Sequence, residues 1–215
     1  MSTTAASVTV VDYGAGNLRS VAKALEAAGL EVRVSSNPAD VQRADGVVLP
    51  GVGAFADAVA SLAKTGLDDA VRDRLAARRP YLGLCLGLQV LFDEGDEHGV
   101  TPGLGVLPGR VERFPDQTPA GEQLRVPHIG WNTVKFSGDH PMLSRLPDED
   151  CFYFVHSYRA IPNRASDVVG RVDYGGEFAA AVAREGMFAV QFHPEKSQSA
   201  GRRLLDAYAF WVSGS

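Results

Sequence analysis

The stretch that decides the fold is "YLGLCLGLQVLF", residues 81–92. Its first four residues have the apolar character of a buried strand, and the residues that follow Cys85 have helical spacing. Gly83 and Gly87 stand two positions before and after Cys85, which gives the pattern G-x-Cys-x-G. A sharp strand-to-helix turn needs glycine at both positions, because a β-carbon there would clash. Cys85 is therefore either a nucleophile at such a turn or a small apolar side chain in a core.

The position of Cys85 would suit nucleophilic chemistry. At the start of a helix, free backbone N–H groups and the positive end of the helix dipole favour a thiolate. The N–H of Leu86 would then point toward an oxyanion formed by attack on a carbonyl.

The first half of the chain alternates strands with helices. This order predicts a parallel sheet covered on both faces. The predicted strands are 7–11, 31–35, 46–50 and 81–84, and the predicted helices are 17–29, 55–66, 67–79 and a helix from the cysteine through about Phe92.

The second half predicts further strands, some of them antiparallel, followed by a final helix. The strands are predicted within 109–114, 130–136, 151–160, 167–175, 178–185 and 187–193, and the helix within 200–212. Residues 115–127 are expected to form a long exposed loop, and Cys151 to be a buried strand residue. We expect residues 1–215 to form a single α/β domain with an open, mostly parallel sheet flanked by helices and extended by antiparallel strands.

Composition excludes several classes of function. Of the 215 residues 45% are hydrophobic, and the net charge of −5 leaves no basic excess for binding nucleic acid. The two cysteines are too far apart in sequence for a zinc ribbon, so we predict neither a metal nor a cofactor. The first residues lack a basic signal-peptide region, and no apolar run approaches the roughly 20 residues of a membrane helix. We therefore expect a cytoplasmic protein.

One of the five histidines has the context of a general base. His193 ends the apolar run "MFAVQF" and is followed by Pro194 and Glu195. Residues two apart in extended chain face the same side, so Glu195 could orient the His193 ring toward a thiol. A surface ion pair is the alternative. His98 and His140 lie in acidic or turn-like segments and are expected at the surface.

Two glycine-containing segments are candidates for ligand-binding loops. In "LPGVGAF", residues 49–55, the amide of Gly51 or Val52 could donate to an oxyanion, although the segment alone is typical of a turn. The segment "DYGAGNLRS", residues 12–20, is not a dinucleotide site, because Arg19 stands where the third glycine of G-x-G-x-x-G belongs.

Three motifs occur in the order typical of one enzyme family: "PGVG", "GLCLGLQ" and "HPEKS". With them the chain resembles the class I (triad-type) glutamine amidotransferases from about Val8 to the final helix. Within the family it is similar to the HisH group, the glutaminase subunits of imidazole glycerol phosphate synthase. The markers of that group are "DYGAGNLRS", "CLGLQ", "VPHIGWN", "YFVHSY" and "HPEKS".

The resemblance implies a flavodoxin-like three-layer fold and a role for each matching residue. The implied catalytic residues are Cys85, His193 and Glu195; the oxyanion donors are backbone groups of Gly51 or Val52 and of Leu86; the substrate pocket comprises Gly53, Gln89, His156, Ser157 and Tyr158. Without the resemblance, Gln89 is a helix-surface amide and "VHSY" the end of a strand.

The resemblance also implies a partner. Ammonia released into water at neutral pH is mostly ammonium, which is not nucleophilic, so a second subunit must receive it. The expected partner is a HisF-type (β/α)8-barrel cyclase in a heterodimer that serves histidine biosynthesis. Asn17, Trp131 and Lys196 are expected at the interface, although Trp131 could be a core aromatic and Lys196 a solvated charge.

Three other functions remain open. The chain could be the glutaminase for another acceptor, such as the anthranilate, aminodeoxychorismate or phosphoribosylformylglycinamidine synthases. It could be a stand-alone hydrolase of γ-glutamyl bonds. It could also be a binding subunit that keeps the fold without the chemistry.

Overall fold

The computed structural model describes residues 5–214, so residues 1–4 and 215 of the expected domain lie outside the described residues. Within residues 5–214 the strands form one mixed sheet. They are β1 (Ser7–Val11), β2 (Glu31–Ser35), β3 (Gly46–Leu49), β4 (Tyr81–Leu84), β5 (Phe92–Asp96), β6 (Val100–Pro102), β7 (Leu107–Arg113), β8 (His128–Phe136), β9 (Glu149–His156), β10 (Tyr158–Pro162), β11 (Val168–Asp173), β12 (Glu177–Arg184) and β13 (Met187–Val190).

Helices cover both faces of this sheet, as the sequence predicts. The α-helices of the described chain are α1 (Leu18–Ala27), α2 (Pro38–Arg43), α3 (Phe55–Thr65), α4 (Leu67–Ala76), α5 (Leu86–Gln89) and α6 (Gln198–Ser213). No helix within residues 5–214 combines the length and apolar composition that a membrane crossing requires.

The centre of the sheet is parallel, with the strand order β2-β1-β3-β4-β13. Side chains alternate between its two faces and build a core on each. Val48 of β3 packs in the core beneath α1 and α6, whereas Val47 and Leu49 pack in the core beneath α3 and α4. Burial on both faces explains why β3, β4 and β13 are continuously apolar, whereas β2 lies at the edge of the sheet and carries exposed Glu31 and Arg33.

The second half of the chain extends this centre mainly with antiparallel strands. From β13 the sheet continues through β12, β10, β7, β5 and β6, and β11, β8 and β9 branch from β12. All pairings in this extension are antiparallel except that of β5 with β7. The α/β class with added antiparallel strands is therefore confirmed.

The predicted helix from Cys85 through about Phe92 is wrong in length. Helix α5 is a single turn that ends at Gln89, and Phe92 already begins β5. The cause lies outside the stretch: the carbonyl of Val90 accepts a hydrogen bond from the N–H of Leu104 at 2.7 Å, which ends the helical bonding. Long-range pairing here overrides local helical spacing.

Other differences also follow from tertiary packing. The predicted strand 151–160 is divided at Ser157 into β9 and β10. Cys151 is exposed rather than buried, because its neighbour Phe152 occupies the inward face of β9. His140 is only 6% exposed rather than at the surface, since its ring packs against Phe188 and Trp211.

Candidate active site

Cys85 occupies a strained turn between β4 and α5. Its φ of 54° and ψ of −104° lie in a region that non-glycine residues rarely adopt. A β-carbon on Gly87 would overlap the carbonyl oxygen of Leu49, and one on Gly83 would lie 2.5 Å from the carbonyl oxygen of Gly87. The two glycines are therefore required by the close packing of the turn, for the steric reason expected from the sequence.

The segments predicted to surround the nucleophile follow three adjacent parallel strands. The loop with Gly51 follows β3, Cys85 follows β4, and His193 follows β13. The N–H of Cys85 donates to the carbonyl of Val190 at 2.8 Å, which fixes the turn to β13. Carboxyl ends of neighbouring strands meet at one edge, where ligands of open α/β sheets bind.

The loop after β3 lies against the first residue of α5. A β-carbon on Gly51 would lie 2.8 Å from the β-carbon of Leu86 and would overlap the hydroxyl of Tyr13. Leu86 begins α5, so its N–H has no backbone acceptor within the helix. The structure therefore brings both expected sources of oxyanion donors, Leu86 and the 51–52 peptide, to one side of Cys85.

His193 and Glu195 form a buried pair beside Cys85. The Nδ1 atom of His193 lies 2.9 Å from Oε1 of Glu195, with the two side chains 4% and 3% exposed. The Nε2 atom is also buried and lacks a hydrogen bond of standard geometry within the described chain. Burial alone would lower the pKa of His193, but the neighbouring Cys85 and Glu195 raise it to about 9. The ring is therefore protonated near pH 7.

Hydrogen bonds with Tyr153 and Ser197 help to hold the backbone around His193. Its N–H donates to the carbonyl of Tyr153 at 3.0 Å. The hydroxyl of Ser197 donates to the carbonyl of His193 at 2.6 Å and accepts from the N–H of Tyr153 at 3.0 Å. The segment is a 3-10 turn, Pro194–Lys196, rather than extended chain, and this turn brings Glu195 back to the His193 ring.

The sequence matches the family described as "Glutamine amidotransferase class-I" over residues 9–209. The chain belongs to the class I glutamine amidotransferases.

Named relatives of this amidotransferase are similar along most of their length. The chain is 52% identical to "Imidazole glycerol phosphate synthase subunit HisH" of Methylococcus capsulatus, covering 95% of this chain and 96% of that protein. It is 50% identical to the protein of the same name from Aromatoleum aromaticum, covering 95% and 98%. Among solved structures, PurLQS from Thermotoga maritima shares the fold with a TM-score of 0.73 at 19% identity, covering 97% of this chain and 100% of that chain.

A cavity of about 260 Å³ opens beside the cysteine of this class I amidotransferase. All five residues expected in the substrate pocket line it: Gly53, Gln89, His156, Ser157 and Tyr158. Cys85, Leu86 and Val52 lie in the same wall. The structure thus brings together residues that are more than 100 positions apart in the sequence.

Sequence reasoning missed two polar residues of this site. Glu97 lines the cavity, and its carboxylate accepts the N–H of Phe55 at 2.7 Å. In the sequence Glu97 is one of several acidic residues in "DEGDEHG", so nothing distinguished it. Gln191 is fully buried and donates to the sulfur of Cys85 at 3.5 Å. The sequence feature that could have indicated Gln191 is its polar side chain inside an apolar run, two positions before His193.

A pair of neutral histidines supports the far wall of the cavity. Burial lowers the pKa of His128 to about 4 and that of His156 to about 3. Because neutral His156 has one ring proton, Nδ1 donates it to the carbonyl of Tyr158 at 2.8 Å. Its Nε2 then accepts from Nδ1 of His128 at 3.0 Å. The carbonyl of Tyr158 is thus held by His156, and it also accepts from Nε2 of Gln89 at 3.1 Å.

Residues expected at the partner interface lie on the surface near the turn that carries Glu195. Trp131 is 48% exposed and contacts the ring of Tyr153, and the exposed amine of Lys196 lies 6.0 Å from the same ring. Asn17 is exposed at the start of α1, which packs against the turn that contains Lys196. Trp131 is therefore not a core aromatic.

Proposed function

We propose that this chain is the glutaminase subunit of an imidazole glycerol phosphate synthase, with residues 1–215 acting as one domain. The observation that carries the proposal is the buried His193–Glu195 pair beside Cys85, at the edge of a cavity lined by every residue expected to hold glutamine. The 52% identity to a HisH subunit over nearly the whole chain supports the choice of synthase.

The geometry supports a two-step hydrolysis. The thiolate of Cys85 attacks the side-chain carbonyl carbon of glutamine, and the resulting oxyanion accepts N–H groups of Leu86 and of the Gly51–Val52 peptide. The protonated His193 gives its proton to the departing nitrogen, and ammonia leaves behind a glutamyl thioester. Neutral His193 then takes a proton from water, which attacks the thioester and releases glutamate.

The charges around the cavity suit an amino acid substrate. The carboxylate of Glu97 at the cavity wall complements the α-ammonium group of glutamine. Gln89 and the segment 156–158 supply amide and carbonyl groups that can hold a polar side chain.

The ammonia passes to a HisF-type (β/α)8-barrel cyclase. There it converts a phosphoribulosyl aminoimidazole intermediate to imidazole glycerol phosphate and an aminoimidazole carboxamide ribotide, a step of histidine biosynthesis. Exposed Trp131 supports the choice of docking face, since an aromatic side chain at the surface is typical of an interface anchor. The free thiols of Cys85 and Cys151 suit the reducing cytoplasm.

A glutaminase assay with and without a cyclase barrel tests this function. We expect glutamine hydrolysis to rise when the barrel and its nucleotide substrate are added, and not when anthranilate, aminodeoxychorismate or phosphoribosylformylglycinamidine synthase is added. Full turnover by the isolated chain, without response to any barrel, would instead support a stand-alone hydrolase.

Assays of the complex also distinguish whether Cys85 is a nucleophile or a structural residue. In the complex, Cys85→Ala should abolish synthesis that depends on glutamine while leaving synthesis from added ammonia, because the barrel itself is unchanged. Cys151→Ser is the matched control, since Cys151 is exposed and lies outside the cavity lining. Loss of both activities in Cys85→Ala, with association intact, would contradict the assigned role.

A further inference from the structure

The side chain of Gln191 is hydrogen-bonded both to Gln89, which lines the cavity, and to the sulfur of Cys85. Gln191 directly follows β13 and is fully buried. Its Oε1 atom accepts from Nε2 of Gln89 at 3.0 Å, and its own Nε2 donates to Sγ of Cys85 at 3.5 Å. It is the amide of Gln191, rather than that of Gln89, that touches the reacting atom.

The orientation of this amide is determined by its neighbours. Nε2 of Gln89 donates to the carbonyl of Tyr158 at 3.1 Å as well as to Gln191. Because the backbone carbonyl of Tyr158 can only accept, the atom of Gln89 that bonds to it must be the NH2 end of its amide. Gln191 therefore presents oxygen to Gln89, and its NH2 group is left to face the sulfur.

The backbone on both sides of the contact is fixed to the sheet. The N–H of Gln191 donates to the carbonyl of Ala180 at 2.8 Å, and the N–H of Cys85 donates to the carbonyl of Val190 at 2.8 Å. The amide and the sulfur are therefore held at their separation without any contribution from a mobile loop. A donor held in place before the reaction needs no reorganisation when negative charge forms.

We propose that Gln191 is a positioning residue for the nucleophile, which holds Sγ of Cys85 by donating an N–H and stabilises the sulfur when it is negatively charged. Hydrogen bonds to charged acceptors are stronger than those to neutral ones, so this contact favours the thiolate over the thiol. The inference rests on the proposed function only in assigning Cys85 as the nucleophile, and its test needs no turnover.

Alkylation of Cys85 by iodoacetamide as a function of pH tests the proposal. The parent carries Cys151→Ser, because Cys151 is exposed and would consume reagent. Gln191→Leu removes both hydrogen bonds, and Gln191→Glu keeps an acceptor for Gln89 while replacing the donor at the sulfur by a carboxylate. We expect alkylation at neutral pH to slow about tenfold in Gln191→Leu and further in Gln191→Glu, with the pH midpoint moving upward in both.

A matched control distinguishes this effect from a general loss of packing. Thr9→Val removes another buried side-chain hydrogen bond, 3.2 Å to the carbonyl of Asp40, on β1. It should leave the alkylation midpoint at its parental value. If circular dichroism shows that Gln191→Leu is unfolded, the alkylation midpoint of the isosteric Gln191→Glu tests the proposal instead. A midpoint in the folded Gln191 variants equal to that of the parent would overturn the proposal, whether or not the parent hydrolyses glutamine.

Discussion

Nδ1 of His193 and Oε1 of Glu195 are joined by a 2.9 Å hydrogen bond between side chains that are almost completely buried. Such a pair is stabilised when the imidazole is protonated. Burial alone would lower the pKa of His193, and Cys85 and Glu195 together raise it to about 9. The stabilisation of the fold by this proton is complete below the unfolded pKa of about 6.5 and is lost as the pH rises through about 9.

Replacing the carboxylate should move the pH dependence of catalysis. Glu195→Gln removes a negative charge that raises the pKa of His193, so the alkaline limb of kcat/KM should shift to lower pH. We also expect a loss of about 10²-fold or more near pH 7.5, the contribution typical of a positioned acid–base group. Glu185→Gln is the control, because Glu185 is 73% exposed and pairs only with Arg78 within the described chain. An unmoved alkaline limb in Glu195→Gln would contradict the assigned role.

The strained backbone conformation of Cys85 should lower the free energy of unfolding, and substitution by glycine should restore part of it. At φ 54° a residue with a β-carbon is strained, and the strain is of the order of 1–3 kcal/mol. Cys85→Gly and Cys85→Ala both lack the sulfur, but only Gly relaxes the turn. We expect Cys85→Gly to be more stable than Cys85→Ala by about 1 kcal/mol in urea unfolding, with both inactive toward glutamine. Equal midpoints would show that the turn is not strained.

The glycine after the nucleophile should tolerate no side chain. In Gly87→Ala the new methyl group would overlap the carbonyl of Leu49, so β3 and the turn must separate. We expect destabilisation of about 1–3 kcal/mol together with loss of glutaminase activity, because the loop with Gly51 and Val52, the expected oxyanion donors, follows β3. Gly29→Ala is the control: Gly29 has a φ of 89° and no atom within 4 Å of the added carbon. It should lose stability without losing activity.

His140 should contribute to acid unfolding although it lies away from the catalytic cavity. Burial lowers its pKa to about 4, an effect that Asp139 only partly opposes. The unfolded chain binds a proton below about 6.5 and the folded chain only near 4, so unfolding becomes easier as pH falls through that window. His140→Asn should therefore show a smaller change in Tm between pH 6.5 and 4.5 than the parent. His98→Asn, at an exposed position, should show the same change in Tm between these pH values as the parent.

The sequence predicts well those features that depend on local pattern. The strands β1, β2 and β4 have the predicted bounds, because alternating or continuous apolar residues specify a strand. Helix α2 was missed although Asn37 caps it, with its side chain accepting from the N–H of Ala39 at 3.0 Å. Six residues are too few for a periodic apolar pattern, so only the cap could have indicated it.

Features that depend on distant partners were not predictable. The segment "FDEGD" has no alternation and becomes β5 because β6 and β7 supply its hydrogen bonds. Gln191 has the sequence context of a strand residue, and its contact with Cys85 joins positions 106 apart. The positions of Cys85, His193 and Glu195 were found because their motifs have a fixed spacing. Their catalytic roles stay predictions until the variants are measured.

The hydrogen bond from the N–H of Cys85 to the carbonyl of Val190 has a consequence for heat resistance. It places the nucleophile and the strand that leads to His193 within the same cooperative unit of the sheet. The two groups therefore cannot separate while the centre of the sheet is intact. We expect catalytic activity to be lost on heating only when the sheet itself unfolds. Curves of thermal inactivation and of global unfolding should superimpose.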